Sequence, residues 1–214
     1  MKTENQRRSS NIEDRRGSGF PGGKGGLGLG GIVIVLIAAY FGVDPKLALQ
    51  TANQLGSTAS TAPSGPVTES TREAAARDLV SVVLADTEDT WKAIFASAGS
   101  NYREPTLVLF RNSTSTACGT GQSAMGPFYC SADEKVYIDL SFYDELQKRF
   151  QAPGDFAEAY VIAHEVGHHV QHLLGISGKV QKARQRTSEK EGNTLSVRLE
   201  LQADCLAGIW AHHA

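Results

Sequence analysis

The chain has 214 residues, of which 41% are hydrophobic and 21% are charged, and its formal net charge is −2. This length fits one domain with attachments, and this composition excludes a disordered or collagen-like chain. The near-zero charge and an isoelectric point near 6.3 argue against a nucleic-acid-binding protein, which would present a basic face. All six histidines lie between His164 and His213, so the candidate chemistry is concentrated in the last quarter of the chain.

The start of the chain predicts a membrane attachment. Residues 1–24 are polar, with six basic residues against three acidic ones, and residues 25–43 contain no charge. An uncharged run of this length is close to the shortest helix that spans a hydrocarbon core of about 30 Å. We therefore expect one transmembrane anchor at 25–43, and the basic excess places the tail at 1–24 in the cytoplasm. The rest of the chain is then expected on the periplasmic or extracellular side.

Two alternatives for the run at 25–43 stay open. A cleaved signal peptide has a short basic start and a small-x-small cleavage site, and neither feature is found here. A buried core helix would carry a polar face, which this run lacks. The single anchor is therefore the favoured interpretation.

The remaining residues predict a linker followed by one α+β domain. Residues 44–68 are rich in Pro, Ser, Thr and Ala, so the folded domain is expected at 69–214. Ser70 and Glu73 form a capping-box pattern at the start of a helix that continues to about Ala98. The further predicted elements are strands at 106–110 and 135–142, helices at 143–149, 155–174 and 195–213, and a mobile polar link at 175–193. Helices and short strands in this order predict the α+β class.

The three cysteines give a weaker indication of the compartment. Cys118 and Cys130 bracket a short Gly-rich segment that a disulfide could staple in an oxidising compartment. The alternative is two unpaired thiols in a turn-rich region. Cys205 lies within a helical pattern, where we expect it to be a small buried apolar residue.

The strongest chemical motif is H-E-x-x-H, formed by His164, Glu165 and His168 after an apolar stretch. Positions i and i+4 of a helix lie on one face, so both imidazoles can bind the same cation. Zinc lowers the pKa of a bound water toward about 7, and Glu165 can accept the proton of that water. Gly167 costs about 1 kcal/mol of helix stability relative to Ala, which indicates that another element approaches closely there. The alternative is a surface helix rich in His and Glu.

A second acidic pair supplies the candidate for a third metal ligand. Glu200 and Asp204 are also four residues apart and share one face of the helix predicted at 195–213. Two His and one Glu are the protein ligands of a hydrolytic zinc site. Asp204, one turn after Glu200, is suited to accept a hydrogen bond from the second ring nitrogen of a ligating His. Asp204 as the ligand in place of Glu200, and a solvated acidic face, are the alternatives.

The other histidines are weaker candidates. His172 lies about 12 Å along the helix from His164, too far for both to bind one small ion. We therefore expect His169 and His172 to be surface residues or partners that support the site. His212 and His213 fit a positively charged helix C-terminus better than a catalytic role.

The chain resembles the bacterial neutral zinc metallopeptidases that are anchored by one N-terminal helix. The similarity covers most of the sequence, in the blocks NIEDRRG, YFGVDP, ACGTGQSAMGPFYC, KVYIDLSFYDEL, PGDFAEAYVIAHEVGHHVQ and SVRLELQADCLAGIWAHH. H-E-x-x-H followed by E-x-x-x-D is, more broadly, similar to gluzincin active sites. Members of the family continue past W-A-H-H, which implies further residues beyond Ala214.

The resemblance implies roles for particular residues. His164, His168 and Glu200 would bind zinc, Glu165 would act as the general base, and Asp204 would support a ligating His. It also implies a zincin-like fold, in which a small sheet packs on the active-site helix and a second helix carries a ligand. A strand before the active-site helix would pair with an extended peptide, and SAMGPFY or KVYIDLSF would serve as that strand.

Three functional hypotheses follow. The first is a membrane-tethered zinc peptidase that acts on a peptide or protein substrate. The second is a scaffold or binding protein of the cell envelope, in which the same zinc site joins two helices without catalysis. The third is a membrane-anchored adaptor without metal, which leaves the four ligand-type residues unexplained. A His₂Glu site also accepts divalent ions other than zinc, and the sequence indicates neither the substrate nor an oligomeric state.

Overall fold

The computed structural model describes residues 3–17, 67–149 and 154–214. Residues 3–16 and 68–214 form one compact unit. The predicted anchor at 25–43 and nearly all of the predicted linker lie outside the described residues. Within the described ranges, no helix combines the length and the apolar character needed to cross a membrane.

A four-stranded mixed sheet forms the centre of the compact unit. Its strands, in spatial order, are β1 (Ile12–Asp14), β2 (Thr106–Phe110), β6 (Lys135–Asp139) and β5 (Phe128–Cys130). Both β1 and β6 run parallel to β2, whereas β5 runs antiparallel to β6 and forms one edge of the sheet. A separate hairpin precedes β5 in the chain and consists of β3 (Ser113–Thr116) and β4 (Gly119–Gln122).

The described residues contain five α-helices: α1 (Thr71–Ser97), α2 (Phe142–Arg149), α3 (Asp155–Leu173), α4 (Ile176–Arg184) and α5 (Glu189–His213). Both α1 and α5 begin with a capping box, in which Ser70 and Ser188 exchange hydrogen bonds with the third helical residue. Each box provides partners for backbone N–H groups that a helix start leaves unpaired.

Both faces of the sheet are buried, which explains why its central strands are almost continuously apolar. Leu107 and Leu109 of β2 belong to the main core, which also contains residues of α1, α3 and α5. Val108 and Phe110 point to the opposite face and pack with Tyr137 in a smaller cluster. This alternation follows from the two-residue period of a strand.

The α+β class is confirmed, and so are the helices expected after Ser70 and from Asp155. The prediction of a mobile link at 175–193 is wrong, because α4 and the first turn of α5 occupy most of this range. The capping box at Ser188 is the local reason that α5 begins before the predicted start. The strand predicted at 135–142 ends earlier, at Asp139. The carboxylate of Asp139 accepts hydrogen bonds from the backbone N–H of Ser141, in the turn that follows, and from that of Asn112, just after β2.

The predicted disulfide is present and joins the β3–β4 hairpin to the edge strand. Cys118 follows β3 and Cys130 ends β5, with their Cα atoms 5.8 Å apart. The expectation for Cys205 is wrong, because its side chain is exposed. The buried face of α5 carries Ala203, Ala207 and other residues, and Cys205 falls outside that stripe.

The N-terminal residues are part of the domain. Strand β1 pairs with β2 in the register Ile12↔Leu107 and Asp14↔Leu109. This differs from the predicted division, in which residues 1–24 form a tail apart from a domain at 69–214. Sequence periodicity does not detect β1 because the strand has only three residues and two of them are acidic.

Candidate metal centre

The site is built where α3 crosses α5. Gly167 of α3 lies against Ala203 of α5, and a Cβ atom at Gly167 would be 2.9 Å from the carbonyl oxygen of Ala203. Only a residue without a side chain permits this approach without a shift of the backbone. The crossing confirms the close approach expected at Gly167, and it brings the H-E-x-x-H face of α3 next to the acidic face of α5.

Three candidate ligand atoms converge at this crossing. One carboxylate oxygen of Glu200 lies 3.3 Å from Nε2 of His164 and 3.3 Å from Nε2 of His168. The ligand atoms of these three residues lie within 4.8 Å of one another. Ligands about 2.0–2.1 Å from a tetrahedral zinc ion are separated by about 3.3 Å, so the spacing fits that geometry. In the part of the chain that the structure describes, no other group of three such residues converges in this way.

Each histidine ring is oriented by a different hydrogen-bond acceptor. Nδ1 of His164 donates to Asp204 at 2.9 Å, and Nδ1 of His168 donates to the side-chain oxygen of Gln171 at 2.9 Å. With Nδ1 as the donor in these hydrogen bonds, Nε2 of a neutral ring is the free electron-pair donor that a metal would bind. Both free nitrogens face Glu200.

Two residues that support the proposed ligands are not predicted from the sequence. Tyr160, one turn before His164, donates to Asp204. The hydrogen bonds from Tyr160 and His164 hold the pKa of Asp204 below its ordinary value, so Asp204 accepts as a carboxylate. Gln171 is fully buried and donates to the carbonyl of Leu199, which joins α3 to the turn of α5 that carries Glu200. The only sequence signal for Gln171 is its position three residues after His168, on the same helix face.

Glu165 lies beside the converging ligands but is not one of them. Its side chain is buried, and the backbone N–H of Tyr129 in β5 lies near its carboxylate. Burial, together with the nearby charge of Glu200, raises the pKa of Glu165 to about 8. A carboxyl group with a pKa near neutrality can both accept and release a proton under physiological conditions.

His169 fixes strand β5 against α3. Its Nε2 donates to the carbonyl oxygen of Arg103 at 2.6 Å, so its Nδ1 accepts from the hydroxyl of Tyr129 at 2.9 Å. The ring of His169 is fully buried. Of the two alternatives expected for His169, a surface residue is therefore excluded, and a residue that supports the site is the one that remains. Through Tyr129, it holds the strand that lines the cleft together with Glu165.

The remaining histidines lie apart from the converging ligands. His172 is half-buried, and its Nε2 is 3.5 Å from a carboxylate oxygen of Glu134. His212 and His213 are exposed in the last turn of α5. They are about three helical turns beyond Glu200, or about 18 Å along the axis, which agrees with the helix-end position expected for them.

An open cleft of about 400 Å³ gives access to the site. It is lined by Pro127, Phe128, Tyr129, His164, Glu165 and Glu200, among others. One wall is therefore the edge strand β5, and the opposite wall is the turn of α5 around Glu200. A larger cavity of about 660 Å³ lies near the start of α1 and the end of β6, and none of the converging ligands lines it.

Comparison with known proteins defines the class. The profile of the family described as "Putative neutral zinc metallopeptidase" matches residues 1–214. The chain therefore belongs to this family, as the motif blocks in its sequence suggest. The family description names a zinc-dependent peptidase, and the converging ligands have the composition that such an enzyme requires.

Two relatives illustrate the similarity. Uncharacterized protein YpfJ of Escherichia coli K12 is 50% identical over 225 residues, which cover 99% of this chain and 75% of the relative. Uncharacterized protein Rv2575 of Mycobacterium tuberculosis H37Rv is 38% identical over 178 residues, covering 83% of this chain and 59% of the relative. No solved structure matches the chain significantly.

Proposed function

We propose that this protein is a zinc peptidase that hydrolyses peptide bonds at the α3–α5 crossing. The observation that carries the proposal is the convergence of two imidazole nitrogens and one carboxylate oxygen beside the buried Glu165. Three protein ligands leave the fourth position of a tetrahedral ion open, which distinguishes catalytic from structural zinc sites. The family membership supports the same activity.

The donor set fits zinc, with His164, His168 and Glu200 as its ligands. Two neutral imidazoles and one carboxylate form the His₂Glu set of hydrolytic zinc enzymes. Zinc bound there would supply Lewis-acid polarisation of a carbonyl group and would acidify water. The carboxylate of Asp204 keeps the ring of His164 in the tautomer and orientation that ligation needs.

Glu165 is the proposed general base and acid. Its carboxylate takes a proton from the attacking water and then returns a proton to the leaving amine. Burial raises the pKa of Glu165 most, and the negative charge of Glu200 adds to that rise; a cation bound to Glu200 would cancel the second contribution. The pKa of Glu165 would then fall toward the range in which it is ionised at neutral pH.

The edge strand β5 is the proposed docking site for the substrate backbone. It pairs with β6 on one side only and borders the cleft on the other. An extended peptide can add to such an edge through main-chain hydrogen bonds. Of the two strands considered from the sequence, β6 is interior to the sheet, so the edge role belongs to the strand that begins in SAMGPFY. This arrangement supports a zincin-like organisation of the fold.

The test is a peptide-library digest with the variant Glu165→Gln, analysed by mass spectrometry. Glu165→Gln is expected to keep stoichiometric zinc and to lose cleavage, because the amide cannot accept the proton of water. Glu158→Gln on the same helix is the matched control, since Glu158 is half-buried and lines the larger cavity instead of the cleft at the site. Cleavage by Glu165→Gln at the wild-type rate would remove Glu165 as the base.

The non-catalytic scaffold makes the opposite prediction. In a scaffold, zinc would bind and stabilise the fold, but neither the wild type nor any variant would cleave peptides. A zinc-loaded wild type that cleaves no peptide in the library would favour that alternative. The anchor at 25–43 and the membrane location of the domain stay predictions.

A further inference from the structure

A buried carboxylate of the domain depends on the N-terminal residues for its partners. Glu88 of α1 is almost fully buried. Arg7 donates to one of its oxygens at 2.8 Å, and Ser9 and Asn11 donate to the other at 2.5 and 2.8 Å. A buried carboxylate that loses its partners is strongly destabilising. The segment from Arg7 to Asn11 is therefore required by the interior of the domain.

The same segment covers one edge of the sheet. Strand β1 pairs with β2, and the pairing is extended at both ends by backbone hydrogen bonds of 2.8 Å, from Leu107 to Asn11 and from Arg15 to Leu109. Ser9 adds a backbone hydrogen bond of 2.9 Å to Ser81 of α1. Without β1, the apolar strand β2 would present an unpaired edge.

The chain leaves and re-enters the compact unit at adjacent points. The guanidinium of Arg16, whose side chain is only 1% exposed, lies 2.6 Å from Asp14 and 2.9 Å from Glu69. Glu69 directly precedes the N-cap residue of α1. The residues that flank the stretch from 17 to 67 are thus held together by an ion pair between the buried Arg16 and the half-buried Glu69.

We infer that residues 3–16 and the metal-bearing domain at 68–214 occupy one compartment, so a single membrane crossing does not separate them. One crossing would hold Arg16 and Glu69 on opposite sides of a hydrocarbon core of about 30 Å, and their ion pair forbids this. This inference replaces the topology that charge bias alone favours, in which residues 1–24 are cytoplasmic and the domain is outside.

Cysteine labelling of the full chain in intact cells tests the inference. The variant Ser10→Cys, with Cys205→Ser, reports on the N-terminal segment, because Ser10 is exposed. The native chain reports on the domain through the exposed Cys205, the other two cysteines being joined. Intact and permeabilised cells are treated with a membrane-impermeant maleimide. We expect both positions to become reactive under the same condition, and labelling of one position only in intact cells would overturn the inference.

Hydrogen exchange on the unmodified full chain gives a second test that needs no substitution. The backbone N–H groups of Ser9, Arg15 and Leu107 are hydrogen-bonded between the two segments. We expect N-terminal peptides that contain residues 9–15 to exchange as slowly as peptides of β2. Rapid exchange of residues 9–15 in a folded domain would overturn the inference, since the segment would then be a free tail.

Discussion

His164 and His168 are equivalent in the H-E-x-x-H pattern, but the structure gives their rings different acceptors. The carboxylate of Asp204 accepts from Nδ1 of His164, whereas the neutral carboxamide of Gln171 accepts from Nδ1 of His168. A carboxylate increases the basicity of an imidazole more than a carboxamide does. Gln171 has a second role: besides accepting from His168, its amide group donates to the carbonyl of Leu199. It orients one proposed ligand and fixes the turn that carries another.

The substitution Gln171→Met tests this double role. Methionine has a similar volume but neither accepts from His168 nor donates to Leu199. We expect the affinity for zinc, measured by competition with a chelator, to fall by about 10–100-fold. Gln202→Met is the matched control, because Gln202 is exposed and its side chain accepts one hydrogen bond, from the amide of Gln171 at 3.2 Å. If wild type binds zinc and Gln171→Met binds it equally well, the positioning role is refuted while the metal site itself stands.

At the scale of elements, the site depends on how closely α3 and α5 approach. Gly167 allows the contact, and Trp210 holds the far end of α5 by donating to Asp86 of α1 at 2.7 Å. A shift of either helix would move Glu200 relative to the two imidazoles. Packing at the crossing and metal affinity are therefore coupled.

The substitution Gly167→Ala should show this coupling. The new methyl group meets backbone atoms of α5, and such overpacking costs about 1–3 kcal/mol, which exceeds the helix propensity gained. We expect a lower free energy of unfolding in urea and weaker zinc binding. Gly208→Ala on α5 is the control, because its Cβ meets no atom within 4 Å, and this variant should be as stable as wild type or more stable. Equal stability of Gly167→Ala and Gly208→Ala would contradict the close crossing.

The features that could be predicted from the sequence are those that depend on residues close together in the chain. The face shared by His164 and His168 follows from helical spacing, and a capping box marks the start of α1, so local rules suffice there. Strand β1 could not be predicted, because its stability comes from pairing with β2 more than 90 positions later in the chain. Gln171 was also out of reach, since its role depends on the three-dimensional contact with Leu199.

At the scale of the whole molecule, the first residues of the chain pack within the same compact unit as the metal-bearing domain. Residues 3–16 supply one strand, the partners of Glu88, and the buried Arg16 that forms an ion pair with Glu69. The metal centre lies beside β5, at the opposite edge of the same sheet. The N-terminal segment should therefore affect stability without contacting the site.

Deletion of residues 1–16 tests this role. The deletion removes every observed partner of Glu88, and isolating a buried charge in this way costs about 3–5 kcal/mol. We expect a markedly lower midpoint of thermal unfolding. Glu88→Gln in the shortened chain should recover part of the loss, because an amide is less costly to bury than a carboxylate. An unchanged midpoint after the deletion would show that the segment does not pack on α1.

Anomalous diffraction at the zinc edge, from crystals of the zinc-loaded protein, tests the central claim most directly. We expect one strong peak about 2 Å from Nε2 of His164, Nε2 of His168 and a carboxylate oxygen of Glu200. Glu165 should lie beside the ion without binding it. A peak elsewhere, or no peak at the α3–α5 crossing with Glu200 turned away from both rings, would contradict the proposed metal centre and the peptidase built on it.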